Sequence, residues 1–241
     1  MDFLYMLLLF AVGSIAGLIN VMAGGGSALT LPALIFLGLD SALANGTNRI
    51  AIFIQNIFAV ASFRQQQVHQ FENSFKLSLW TLPGSVIGAV VAVNISNVWF
   101  ERILAIVLIG VIISMIFPPT KNTAVSKSDG NYRHWLIYPA LLGIGFYGGF
   151  IQVGVGFLFM ASLFHLLRID LVLVNMHKVF IVLIYTIPVL AIFILSDNVD
   201  WAAGLSLAAG NSFGAWWSAR ISVKKGDKVI RYVLFVAIFI M

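Results

Sequence analysis

Cysteine is absent from this 241-residue chain, which excludes disulfides, thiolate metal sites and cysteine nucleophiles and leaves the redox compartment open. Charge is scarce as well. Only 10% of residues are Asp, Glu, Lys or Arg, against roughly a quarter in soluble domains. With 61% hydrophobic residues and a mean hydropathy of +1.00, a soluble globular protein is excluded. Strands of alternating polarity, the signature of a transmembrane barrel, are missing too. What is present is a series of apolar runs, most of them roughly 17–25 residues long, enough to cross about 30 Å of hydrocarbon as helices. The expected fold class is therefore an all-α polytopic membrane protein. The 14 Lys+Arg outnumber the 9 Asp+Glu, for a net charge of +5. Most of these bases lie in short loops beside apolar runs, so the excess reports orientation and not a nucleic-acid partner.

Polar breaks divide the chain into runs near 3–22, 28–38, 41–63, 75–94, 100–117, 134–153, 157–167, 171–195, 201–219 and 228–241. The first run begins behind Asp2 with no basic n-region and no small-residue cleavage site, so it is expected to stay in the mature protein. Two runs, 28–38 and 157–167, are too short to span. Each follows a glycine-rich break, Gly24-Gly25-Gly26 or Gly154-Val155-Gly156, and reads as the second arm of a hairpin whose half-helix starts inside the protein. The polar stretch 118–132 is the one linker-like segment. It divides a single membrane domain, 1–241, into a first repeat at 1–117 and a second at 133–241.

Across that linker Gly17 and Asn20 match Gly149 and Gln152; Asp40 and Asn45 match Asp170 and Asn175; Gly84, Gly88 and Ala89 match Gly210, Gly214 and Ala215. Each repeat holds five helical segments, an odd number, so the two must run in opposite directions. Charge agrees. Arg64, Lys76, Lys121, Lys127, Arg133, Arg168, Arg220, Lys224, Lys225 and Lys228 fall on one side, and Asp2, Asp40, Glu101, Arg102, Asp197 and Asp200 on the other. The basic side is expected to be the cytoplasm of a cell (cytoplasmic or inner) membrane, with 118–132 inside and both termini outside.

No Asp or Glu lies deep in any apolar run. The charges that do are Arg49 and Lys178, nine and eight residues from Asp40 and Asp170, or roughly 12–14 Å along a helix. Charge in hydrocarbon costs at least about 2.5–3.5 kcal/mol, so both are candidates for function. Asn45, Asn48, Arg49, Gln55 and Asn56 share one helical face, and Asn175, Lys178, Tyr185 and Thr186 repeat it. A cationic site ringed by amides suits an anion, and helix N-termini opened at the glycine breaks add main-chain donors. The candidate substrate-binding set is Arg49, Lys178, Asn45, Asn48, Asn175, Gln55, Gly24, Gly25, Gly26, Ser27, Thr47, Gln152 and Gly156, with His177 a candidate proton carrier. Both cations are expected to face one central cavity. The competing account is structural: amides bonding between helices and cations neutralising helix C-termini. The expected partners are a small inorganic or organic anion and the bilayer, with no metal and no cofactor; a homo-oligomer is left open.

Two other function classes compete. One is an intramembrane serine hydrolase with Ser27 as nucleophile and His177 or His165 as base, for which no oriented third partner is evident. The other is a retinal-type photoreceptor on Lys178, opposed by the segment count and by the missing carboxylate counter-ion. At Gly24-Gly25-Gly26-Ser27 through Pro32, at Asn45-Gly46-Thr47-Asn48-Arg49, and at Gly84 and Gly88-Ala89, the chain resembles the sulfite exporter TauE/SafE family of membrane permeases over nearly its whole length. The resemblance implies transport of small oxidised sulfur anions, such as sulfite or organosulfonates, or of related carboxylates, and it matches Lys178 to a lysine common in the family's second half.

Overall fold

The structure, a computed structural model, describes residues 3–116 and 134–240. The expected linker 118–132, with Lys121 and Lys127, and Arg133 beside it, lies outside the described residues. Among the described residues every regular element is helical: α1 Phe3–Met22, α2 Ser27–Phe36, α3 Ser41–Gln65, α4 Phe71–Asn94 and α5 Asn97–Ile116, then a 3₁₀ turn at His134–Leu136, α6 Ile137–Phe150, α7 Val155–Leu167, α8 Leu171–Leu195, α9 Trp201–Lys225 and α10 Asp227–Ile240. Among the described residues three helices can cross a membrane by length and composition, within Leu4–Met22, Phe71–Asn94 and Leu171–Leu195. At 25 residues α3 is as long as α8, about 37 Å, but carries the polar stripe. Large apolar side chains such as Trp80, Ile87, Ile106 and Phe213 point outward, as a lipid-facing surface requires. This is a helical membrane protein.

Several boundaries differ from the hydropathy reading, two of them with a clear physical cause. α9 continues six residues past its apolar run because Arg220, Lys224 and Lys225 sit near a C-terminus, where the helix dipole favours cations. In the second hairpin the unwound residues are 151–154, and Val155 and Gly156 already belong to α7.

Packing crosses between the halves. α1 lies on α9 and α6 on α4, in both cases through paired glycines four residues apart. A Cβ on Gly17 would stand 2.1 Å from the Asn211 carbonyl oxygen, and one on Gly214 2.0 Å from that of Ser14. On the other pair, Gly149 meets the Ser85 carbonyl and Gly88 that of Phe146, at 2.0 and 2.1 Å. Without side chains the backbones gain the dispersion contacts that hold helices together in lipid. α3 and α8 complete the interior, α3 against α9 and α8, and α8 against α4.

Polar bonds tie the corners at both ends. At one end Ser41 donates to Glu101 (2.9 Å) and the Asp200 amide to Thr47 (2.9 Å). At the other, the Leu171 amide donates to Asp227 (3.1 Å), and Ser74 and His177 bond at 2.8 Å. Asp170 and Asp200 cap α8 and α9, accepting from the Leu173 and Ala203 amides, a role that suits a short carboxylate at a helix start.

Candidate functional site

The α1–α2 and α6–α7 hairpins meet tip to tip in the interior. Gly24, at φ +87°, and Gly156 touch backbone to backbone: a Cβ on Gly24 would lie 2.3 Å from the Gly156 carbonyl carbon, and one on Gly156 2.2 Å from the Gly24 Cα. The second tip turns through two left-handed residues, Gln152 (φ 65°) and Gly154 (φ 69°), and the Tyr147 hydroxyl donates across it to the Val153 carbonyl. All residues from Val21 to Ser27 and from Gly148 to Gly156 are buried.

A helix ending inside an apolar interior leaves carbonyls without donors. Arg49 fills that need for α6. One terminal nitrogen donates to Gly148 O (3.0 Å), the other to Gly149 O (2.6 Å) and Phe150 O (3.3 Å) and, at 3.4 Å, to Asn45 Oδ1. The guanidinium lies 4.6 Å from the centre of the Phe193 ring, and Asn45 Nδ2 adds a bond to Phe150 O at 2.9 Å. Lys178 and Asn175 do the same for α1. Lys178 Nζ donates to Asn20 O (3.0 Å), Val21 O (2.7 Å) and Asn175 Oδ1 (2.8 Å), and Asn175 Nδ2 reaches Met22 O at 3.5 Å. Both cations therefore cap the C-terminus of the opposite half's broken helix, where the helix dipole is negative. The structural account set aside in the sequence holds for these bonds.

A crevice opens beside one of the two. It is lined by Asn20, Ser27, Ile52, Asn56, Gln152, Val155, Gly156, Lys178, Val179 and Val182, and holds about one water's worth of space. The first turns of both half-helices border it, at Ser27 and at Val155-Gly156. Neither N-cap, Gly26 or Gly154, supplies a side-chain bond, in contrast to the aspartate caps of α8 and α9. The buried Gln152 amide has no hydrogen-bond partner of good geometry, although the Tyr185 hydroxyl lies close by. Arg49 does not line this crevice. The expectation of both cations in one cavity is thus corrected: the α6 carbonyls draw the guanidinium away from the space that Lys178 reaches.

The remaining candidates disperse. Along α3 consecutive residues serve different neighbours. Gly46 lets the Asn198 carbonyl approach, with a Cβ there only 1.8 Å away; Thr47 holds the Asp200 amide; Asn48 Oδ1 accepts from Thr30 (2.7 Å). Gln55 is buried with neither amide atom bonded, outside the crevice. Ser27, Gln152, Gly156 and Lys178 come together there. His177 turns to Ser74 on α4, and His165 is exposed with its ring against Phe164, so neither partners Ser27. Two polar crevice residues escaped the candidate set, Asn20 and Asn56. The Asn20–Gln152 match across the repeat is the signal that finds the first, and the polar stripe of α3 the second.

Comparison with known proteins agrees with this architecture. A family model for "Sulfite exporter TauE/SafE" matches residues 9–241. Haemophilus influenzae has a "Probable membrane transporter protein" 26% identical over 97% of this chain and 91% of its own length. "Probable membrane transporter protein YfcA" of Escherichia coli strain K12 is 28% identical over 97% and 86%. "Probable membrane transporter protein YunE" of Bacillus subtilis strain 168 is 22% identical over 97% and 94%. No solved structure matches. The broken hairpins and the near-complete match converge on one conclusion: the chain belongs to the sulfite exporter TauE/SafE family and is a membrane transporter of that type.

Proposed function

We propose that this transporter moves small oxyanions, such as sulfite, organosulfonates or related carboxylates, through the crevice between the hairpin tips. The observation that carries this reading is the convergence there of two uncapped half-helix N-termini with Lys178, Ser27 and the unbonded Gln152 amide. Main-chain N–H groups and a positive dipole end favour an anion from two directions, and among the described residues no buried carboxylate opposes it. Asn20 and Asn56 add neutral polar contacts. Arg49, Asn45 and Asn175 act by holding the broken helices in place, and His177 keeps α4 and α8 in register.

The two halves, 1–117 and 133–241, are inverted repeats of one membrane domain. In support, α3 starts at the corner holding Glu101 and Asp200, whereas its counterpart α8 starts at the corner holding Asp227. The basic corner faces the cytoplasm and both termini lie outside. An anion leaving toward a positive exterior gains about 2.3 kcal/mol per charge per 100 mV, which is enough to drive export without a coupling ion.

The test is flux of labelled sulfite, a short organosulfonate and a short carboxylate from proteoliposomes under a set potential. Potential-dependent flux of at least one of them is expected, and absence of flux for all three overturns the proposal.

A further inference from the structure

We infer that the transported anion is an exchange ligand for Lys178, and that binding it uncaps α1 and frees the first hairpin tip while the second stays fixed. This inference rests on the proposed anion crevice and adds to it which element moves. An ammonium has three protons, and all three are taken: by Asn20 O, Val21 O and Asn175 Oδ1, at 3.0, 2.7 and 2.8 Å. An oxyanion that enters can bond Lys178 only by displacing one of these acceptors. The longest of the three bonds goes to Asn20, whose residue itself borders the crevice. What would remain on α1 is the Lys178 bond to Val21 O and the 3.5 Å Asn175 bond to Met22 O, with Asn20 O left without its donor.

The second tip has no such vulnerability. Its carbonyls are held by Arg49 at three positions and by Asn45 at 2.9 Å, and the guanidinium is backed by Phe193. None of Arg49, Asn45 or Phe193 lines the crevice, so an anion there competes for none of these bonds. The space available, about one water, also requires something to yield before an oxyanion of several heavy atoms can fit. The Gly24–Gly156 contact is where the tips block each other, and movement of the first tip alone would part them.

Hydrogen–deuterium exchange on the intact wild-type protein in liposomes tests this, with sodium sulfite against sodium chloride at equal ionic strength and flux measured on the same vesicles. The reporters are the Ala23 and Gly24 amides, which bond to Ile19 O, and the Ile151 and Gln152 amides, which bond to Tyr147 O. Sulfite should speed exchange at the first pair about fivefold or more and leave the second pair within about twofold. In Lys178→Met the first pair should already exchange fast, with no further response. Equal responses at both tips, a response confined to the second, or no response in vesicles that carry sulfite would overturn the inference. Vesicles that carry none of the three tested anions would instead remove the transport reading on which it stands.

Discussion

The two hairpins solve one problem with unequal means. Both α1 and α6 stop inside the protein, and both present carbonyls that must find donors. α6 receives a guanidinium and an amide spread over three carbonyls, with an aromatic ring behind. α1 receives one ammonium and a long amide bond. The strong cap sits away from the crevice and the weak one on its wall. The difference teaches that two hairpins broken in the same way need not share their chemistry: a rigid fork suits a permanent support, whereas a compact ammonium can change partners.

Replacing Arg49 with alanine should break the comparison most severely. Gly148 O and Gly149 O lose their donors in a buried site while Phe150 O keeps Asn45, at roughly 1–3 kcal/mol for each group left unpaired. Truncation also leaves a void, so a loss of about 3 kcal/mol or more is expected as a drop in thermal midpoint in detergent. A midpoint unchanged within error would mean the guanidinium does not support α6. Lys178→Met likewise strips two carbonyls and removes a buried charge, but methionine fills the space that alanine would leave empty, so its stability loss should be smaller, roughly 1–2 kcal/mol, while anion flux in proteoliposomes disappears. If the two variants lost equal stability and kept equal flux, the caps would be equivalent.

Alanine at the touching tips sharpens the contrast further. Gly24→Ala and Gly156→Ala both force a Cβ into the opposite backbone, at about 1–3 kcal/mol for overpacking. Gly24 also has φ +87° and Gly156 is helical, so Gly24→Ala should be worse by about 1 kcal/mol or more. Equal midpoints would argue against the tip geometry. The smallest effect belongs to Thr47→Val, which costs the Asp200 amide one acceptor, about 1 kcal/mol; transport at the wild-type rate would place Thr47 with the α8–α9 corner and apart from the crevice.

Much of the architecture was readable from periodicity and punctuation. The runs at 3–22 and 171–195 coincide with α1 and α8, and the glycine breaks mark both hairpins, because span length and glycine are local signals. The second break was misplaced by two to three residues since a left-handed glutamine, Gln152, gives no such signal. The polar stripe on α3 and α8 picked out polar residues that are buried, but not what each one serves. A buried cation reads the same whether it awaits an anion or a helix end, and only the position of the opposite half's carbonyls decides. Asn20 stayed out of the candidate set because it is a lone amide near the end of an apolar run, with no polar stripe on its helix to mark the face it shares.

The pairing of helices across the halves bears on how the chain is made. When α6 emerges from the ribosome, Arg49 has been waiting about 100 residues behind it. α1 emerges first and has nothing to meet: Lys178 follows 158 residues after Asn20, and Ser218, which donates to Leu18 O, 200 residues after it. Its glycine face and bare end must sit in lipid or under the insertion machinery until α8 and α9 have been made. A truncated nascent chain ending before α8 would thus carry an unfinished first helix, the natural place for membrane quality control to recognise an incomplete product.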